Sequence, residues 1–253
     1  MSDTGYAGSF DERRYGPVLA AQGASSKLRR VFADAFGDEY AGEADPLGFV
    51  TVSELEWIAE SVEAAPGKTL VDLGCGRGGP GLWVARKTGC DLIGLDLVAE
   101  GVEEATRRSR SFGLEGRARF LVADVAETGL ADGSCDAAMS VDTLWMVLDK
   151  AAALREAARI LRPGSRFSFT TWEPSYLDYD ALLSAAGFRV LSRSTPSGWL
   201  ERQLAAYRGI DAHEAELVAE LGAEAAGVLV AEAREAPALL AEAPRILVGA
   251  VKA

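Results

Sequence analysis

The chain has 253 residues, 49% of them hydrophobic and 25% charged, which suits a folded globular protein and excludes disorder along its whole length. A chain of this length makes one large or two small domains and buries a core without disulfides or metals. Acidic residues number 38 against 26 basic, for a net charge of −12; that field repels a phosphate backbone, so nucleic acid is excluded as the main partner, whereas a small neutral or cationic ligand fits it.

The start of the chain, Met1 to Phe10, is polar and lacks the basic and apolar segments of a secretory leader. No apolar run approaches the roughly 18 residues of a membrane-spanning helix, so no membrane partner is expected. The cysteines, Cys75, Cys90 and Cys135, lack CxxC spacing, and a reduced, cytoplasmic location is expected. With a single histidine, His213, no His/Cys metal site is expected.

Residues 1 to about 50 read as loops and short helices. Leu28, Val31, Phe32 and Phe36 recur at helical spacing within 25–36, and residues 45–51 look extended. Ser53 and Glu56 have the spacing of a capping box, ahead of a helix face made by Leu55, Ile58, Ala59 and Val62 and ended by Pro66-Gly67. From residue 68 the pattern changes. Strand-like runs at 69–73, 91–95, 118–122, 135–141 and 166–171 alternate with helix-like runs at 80–88, 99–112 and 150–161, the last stopped by Arg162-Pro163-Gly164. A helix over 178–186, a strand over 188–192, a loop at 195–198, Ala/Glu/Leu-rich helices over 199–243 and a strand over 246–251 follow. Alternating strands and helices predict an α/β fold, a mostly parallel sheet with helices on both faces.

The most informative stretch is Leu70-Val71-Asp72-Leu73-Gly74-Cys75-Gly76-Arg77-Gly78-Gly79-Pro80-Gly81, between the first strand and the first helix of that pattern. Glycines here permit positive φ and let a ligand approach the backbone. Gly74, Gly76 and Gly79 also satisfy G-x-G-x-x-G, so a dinucleotide is formally allowed. Two features oppose it. Asp72 puts a carboxylate beside the turn, unfavourable for a pyrophosphate and favourable for an ammonium group, and Pro80 removes an N–H where phosphate would bind.

Asp72-x-Gly74-x-Gly76-x-Gly78 resembles motif I of the class I S-adenosylmethionine-dependent methyltransferases, and the longer string GCGRGGPGLWVAR is similar to a small-molecule subgroup of bacterial secondary metabolism. The resemblance is strong over about 68–173 and looser elsewhere. It implies a Rossmann-like, seven-stranded, mostly parallel sheet with an antiparallel last strand, over residues 67–253. Residues 1–66 would then cap the donor site, and a helical lid at about 199–243 would shape the acceptor pocket.

The donor, S-adenosylmethionine, is then expected against Asp72, Gly74, Cys75, Gly76, Gly78 and Gly79, with Cys75 a small filler of the turn. Asp96 ends the second strand beside Leu97; one carboxylate can accept both ribose hydroxyls, and Asp96 matches the family's ribose-binding acid. The resemblance further implies that Asp124 accepts from the adenine amino group and Val125 donates its N–H to the ring. Val141 or Ser140 is placed to offer a carbonyl to the donor's ammonium. Trp145 and Met146 line the mouth or pack a helix; both readings stay open.

The implied reaction is in-line transfer of the methyl group to an O, N or C atom of a small molecule. A base is needed only where the acceptor must lose a proton. Asp142 and Glu173, after the fourth and fifth strands, are the candidates for that base. His213 reads as a surface residue in the first turn of a lid helix capped by Asp211, and Tyr6, Tyr15 and Tyr40 are candidates to cover the ligand. The acceptor's identity and the choice between monomer and homo-oligomer stay open. Two rivals stand beside this reading: an NAD-dependent oxidoreductase, and a protein that binds S-adenosylmethionine without turnover.

Overall fold

The computed structural model describes residues 12–253; Tyr6 lies outside the described residues. Two helices, α1 (Glu12–Ala21) and α2 (Ser26–Phe36), precede α3 (Val52–Ser61). The alternating region then runs β1 (Thr69–Leu73), α4 (Gly79–Thr88), β2 (Asp91–Asp96), α5 (Ala99–Ser109), β3 (Ala118–Val122), β4 (Cys135–Val141), α6 (Lys150–Ile160) and β5 (Leu161–Trp172). The C-terminal part comprises α7 (Tyr179–Ala185), β6 (Phe188–Ser194), α8 (Trp199–Ala212), α9 (Glu214–Leu221), α10 (Ala223–Glu235), α11 (Pro237–Leu240) and β7 (Arg245–Lys252).

The strands form one sheet of order β3-β2-β1-β4-β5-β7-β6. β1 to β5 pair in parallel, and β7 is antiparallel to both neighbours, inserted between β5 and β6. The order reverses at β1, whose neighbours are β2 on one side and β4 on the other, and a doubly wound sheet opens a crevice at the carboxyl ends of the strands at that point. Among the described residues no helix is long and apolar enough to cross a membrane.

Local chemistry explains where these elements begin. Ser25 caps α2, its Oγ accepting from the Leu28 N–H at 3.0 Å, and the apolar face seen in the sequence is buried in full. The capping box of α3 is formed by Thr51 and Glu54, not by Ser53 and Glu56: Thr51 Oγ1 accepts from the Glu54 N–H at 3.1 Å, and Glu54 accepts from the Thr51 N–H at 3.2 Å. Ser53 instead donates to Glu39 at 2.6 Å, and Glu56 pairs with Lys87 at 2.9 Å. Of residues 45–51 only Thr51 is paired, in a bridge with Tyr40; the others form a loop.

β5 starts five residues earlier than the Pro-Gly signal indicates. Leu161 pairs with Cys135, the register then shifts before Ala137 pairs with Arg166, and Pro163-Gly164 sits within this irregularity. Three apolar clusters hold the molecule together. One lies under α6 and α7 on one face of the sheet; a second packs α3, α4 and α5 on the other. The third takes only Trp172, the last residue of β5, from the sheet. It joins Leu28, Phe32 and Phe36 of α2 to Tyr207, Ile210 and Leu229 from α8 and α10, so the N-terminal and C-terminal helices share one core above the strand ends.

Candidate active site

The β1 carboxyl end opens into a turn tied to β2. The N–H groups of Gly74 and Cys75 both donate to the Leu95 carbonyl, at 2.8 and 2.9 Å. Gly76 has φ +50°, a conformation that suits glycine, and its N–H donates to Asp96 Oδ2 at 2.7 Å. The other Asp96 oxygen accepts from the Val98 N–H at 2.9 Å, so the carboxylate is fixed while each oxygen keeps a further lone pair. Burial raises the Asp96 carboxyl, against the pull of these N–H groups.

Among the described residues a Cβ added to Gly76 would meet only the Leu19 side chain, at 3.7 Å, and its bare face is otherwise open. Gly78, by contrast, is a packing glycine. Its added Cβ would lie 2.8 Å from Ala105 and 3.0 Å from Phe120, and it is absent from the cavity wall, so its direct donor contact gives way to a role at the α4 N-terminus. Gly74 and Gly79 reach the wall but are pressed against Thr143 and the Ala44 carbonyl.

Asp72 projects from β1 beneath this turn. It is 1% exposed, and among the described residues neither carboxylate oxygen has a hydrogen-bond partner; the Gly81 N–H only leans towards it. Burial first, and the Asp96 charge second, push the carboxyl up to about 7. A buried, unpartnered carboxylate is costly, and a ligand cation would relieve it.

These groups line one end of a cavity of about 1130 Å³. Leu97, Asp124, Val125 and Val141 flank it, as do Trp145 and Met146, which sit in a turn and not on a helix. Cys75 is buried in its wall. Asp124 is exposed and closes a local turn, accepting from the Ala126 N–H at 2.8 Å; Ser140 is buried away from the wall, its hydroxyl donating to the Leu73 carbonyl. Tyr15 lines the cavity and Tyr40 does not.

The structure removes both expected bases. Asp142 reaches the wall, with φ +54°, but its carboxylate accepts from the Phe49 N–H at 2.7 Å and the Thr170 hydroxyl at 2.6 Å and faces Arg245 Nη1 at 2.7 Å. That last approach is ionic and not an aligned hydrogen bond. Arg245, 1% exposed, also grips Glu54 through Nε at 3.1 Å and Nη2 at 2.9 Å and lies 4.8 Å over the Trp172 ring. Burial alone would lower the guanidinium, yet Asp142 and Glu54 together raise it. An acid so engaged anchors the β4 end.

Glu173 lies outside the cavity wall, accepts from the Tyr179 N–H at 2.9 Å and is paired with Arg193. His213 is equally remote. It is the half-buried junction between α8 and α9, 3.1 Å from Glu216 and 3.4 Å from Lys27; Asp211 lies in the last turn of α8, paired with Arg234, and does not cap a helix.

The far end of the cavity holds residues the sequence reading missed. Tyr207 donates to Glu232 at 2.9 Å and Tyr15 donates to it at 3.3 Å. Gln203 links Tyr207 at 3.3 Å to the Trp172 ring N–H at 3.1 Å. Phe49 packs edge-on against Tyr207 and Trp172, and Trp172 against Trp145. Nothing in the spacing of 223–235 sets Glu232 apart from Glu224 or Glu235; only the return of α10 against α1 and α8 does.

Comparison with known proteins agrees with this geometry. Residues 71–169 match the profile of a methyltransferase domain. Methyltransferase GfsG of Streptomyces halstedii is 34% identical over 148 residues, which cover 57% of this chain and 53% of that protein. Geranyl diphosphate 2-C-methyltransferase of Streptomyces lasalocidi is 34% identical over 113 residues, 44% of this chain and 37% of that protein. The chain thus spans about half the length, or less, of these relatives. Among solved structures, the cyclopropane synthase MmaA2 from Mycobacterium tuberculosis shares the fold with a TM-score of 0.71 at 14% identity, over 94% of this chain and 98% of that one. The [4+2]-cyclase SpnF shares it with a TM-score of 0.70 at 24% identity, over 78% of this chain and 79% of that one.

Proposed function

We propose that the chain, whose residues 71–169 match a methyltransferase domain, is a class I S-adenosylmethionine-dependent methyltransferase that transfers a methyl group from that donor to a small organic molecule, a secondary metabolite, by in-line displacement. The observation that carries the reading is the pairing of Asp72, buried with two orphaned oxygens, and Asp96, held by the Gly76 N–H at the reversal of strand order. The first suits an ammonium group and the second a ribose diol, and the bare face of Gly76 leaves room for the molecule that carries both. A dinucleotide would set its pyrophosphate against Asp72 and against Pro80 at the second position of α4.

In this reading Asp72 and the Val141 carbonyl hold the ammonium, Asp96 holds the ribose, and Asp124 with the Val125 N–H holds the adenine; Gly74, Cys75, Gly79 and Leu97 shape the slot. When bound, the donor supplies a methyl carbon already activated by a positive sulfur. The protein then has mainly to align the acceptor and exclude water, effects worth roughly 7–11 kcal/mol. Of the cap expected at residues 1–66, the described residues 12–66 serve in this reading, and the lid at about 199–243 completes a domain that begins at residue 67. The free, buried thiols of Cys75, Cys90 and Cys135 suit a reducing cytoplasm.

The test is a calorimetric titration with S-adenosylhomocysteine and, separately, with NAD. The expected result is a micromolar Kd for the first, about 8 kcal/mol, and no heat with the second. Tighter binding of NAD would overturn the reading.

A further inference from the structure

We propose that Glu232, framed by the hydroxyls of Tyr207 and Tyr15, takes the proton from a hydroxyl acceptor, and that this acceptor is an uncharged, largely apolar molecule. The proposal rests on the methyl-transfer reading above and deepens it.

The acceptor class follows from what the cavity wall can and cannot neutralise. Away from the glycine turn the wall is apolar, with Phe32, Trp145, Leu229 and Leu240. Among the described residues its only cationic side chains are Arg77 and Lys150. Arg77 is engaged by Asp45 at 2.9 Å and Glu104 at 3.4 Å. Lys150 donates to the Val147 and Trp145 carbonyls at 2.7 and 3.2 Å, and burial lowers its ammonium. A phosphate or diphosphate acceptor would meet there, among the described residues, only this one cation free of an acidic partner, two of its three N–H groups already engaged, for two or more negative charges.

The base follows from elimination among the acids of the wall. Asp45 and Asp142 are held by arginines. Asp149 caps α6, Asp124 closes its own turn, and Glu242 is exposed. Asp72 and Asp96 belong to the donor turn. Glu232 alone faces the apolar end, half-buried, with no ion pair among the described residues and with two phenol hydroxyls fixing its carboxylate. Each oxygen retains a lone pair for an incoming proton. Burial raises this carboxyl, while the two tyrosines and Arg14 pull the other way, so the net effect is a stronger base near neutrality than an ordinary glutamate.

The step balances without a further reagent. A lone pair of the acceptor oxygen forms the O–C bond to the methyl carbon as the C–S bond breaks and leaves its electron pair on sulfur. The O–H proton passes to Glu232 and leaves with solvent after product release.

The probe that tests this is 2-naphthol, an uncharged aromatic hydroxyl compound that, when excited, gives its proton to a base within hydrogen-bond reach and then emits as naphtholate. The protein is loaded with S-adenosylhomocysteine, 2-naphthol is added, and emission and affinity are read. Wild type is expected to emit as bound naphtholate. Glu232→Gln is expected to bind the probe within about threefold and S-adenosylhomocysteine within about twofold, and to emit as neutral naphthol. The charged analogue 2-naphthyl phosphate is expected to bind at least about tenfold more weakly than 2-naphthol. Naphtholate emission that persists in Glu232→Gln overturns the base, as does neutral emission from wild type, which decides the matter even if the variant fails to fold. Equal affinity for the phosphate, or no binding of 2-naphthol to the loaded wild type, overturns the acceptor class. Failure of wild type to bind S-adenosylhomocysteine instead overturns the methyl-transfer reading beneath.

Discussion

Replacing Asp72 by Asn should make the ligand-free protein more stable at neutral pH while weakening its hold on the donor. The carboxyl lies under the glycine turn without a partner, and its environment moves it from 3.8 to about 7. Between those two values the folded state binds more protons than the unfolded chain, so stability falls as pH rises. The full penalty, reached above about pH 7, is about 4 kcal/mol, of which about 2–3 kcal/mol accumulates between about pH 5 and pH 8. Asparagine does not titrate and escapes that loss. Urea unfolding of wild type and Asp72→Asn at about pH 5, 6.5 and 8 should therefore show the variant gaining on wild type with rising pH. Saturation with S-adenosylhomocysteine should abolish this trend in wild type, because an ammonium beside Asp72 favours the ionised form, and binding at about pH 6 should release close to one proton. A stability difference that is flat across this pH range would refute the argument, since a merely steric effect of the substitution has no reason to follow pH.

Asp96→Ala should weaken S-adenosylhomocysteine by roughly 1.5–3 kcal/mol, because hydrogen bonds to a charged acceptor are lost; unchanged calorimetric affinity in a folded variant rejects the ribose role. Gly76→Val should abolish donor binding, since φ +50° strains valine and the side chain fills the open face, and normal binding would place the ligand elsewhere. Arg245→Met leaves Glu54 and Asp142 buried without their cation and should cost about 3–5 kcal/mol, a drop of about 6–20 °C in melting temperature; a shift under about 2 °C would show that the network is not needed. His213→Ala should keep methyl transfer within about tenfold, roughly 1.4 kcal/mol of barrier, and a thousandfold loss with donor binding intact would make the histidine essential.

The donor end of the cavity was legible in the sequence because its chemistry is local. A strand, a glycine turn and a helix start are contiguous, so residues 69–88 state their own geometry, and Asp96 follows at the end of the next strand. The boundaries that failed did so where distant partners intervened. Pro163-Gly164 reads as a stop, but the backbone around it is carried into β5 by the pairing of Leu161 with Cys135. Ser53 and Glu56 have the spacing of a capping box, yet Glu39 and Lys87 claim their side chains. Asp142 and Glu173 are reasonable bases by their place after strands; their arginines come from later strands, Arg245 of β7 and Arg193 of β6, the second only 20 residues from Glu173.

The acceptor end is illegible for a deeper reason. Its polar groups come from α1, α8 and α10, helices whose sequences announce only amphipathic packing, and Tyr15 and Glu232 lie 217 residues apart. What brings them together is the shared apolar core of the N-terminal and C-terminal helices. One path of contacts ties that core to the strand ends, beside the link from Trp172 through Gln203 to Tyr207. Arg245 of β7 binds Asp142 at the β4 terminus, Asp142 accepts the Phe49 N–H, and the Phe49 ring packs on Tyr207, which donates to Glu232. Every link in that path is buried or shared by two elements, so close packing resists displacement of Phe49 from both ends. Arg245 therefore joins the ends of β4 and β5 to the helical core, through Asp142 and through the Trp172 ring, with none of its own atoms on the cavity wall.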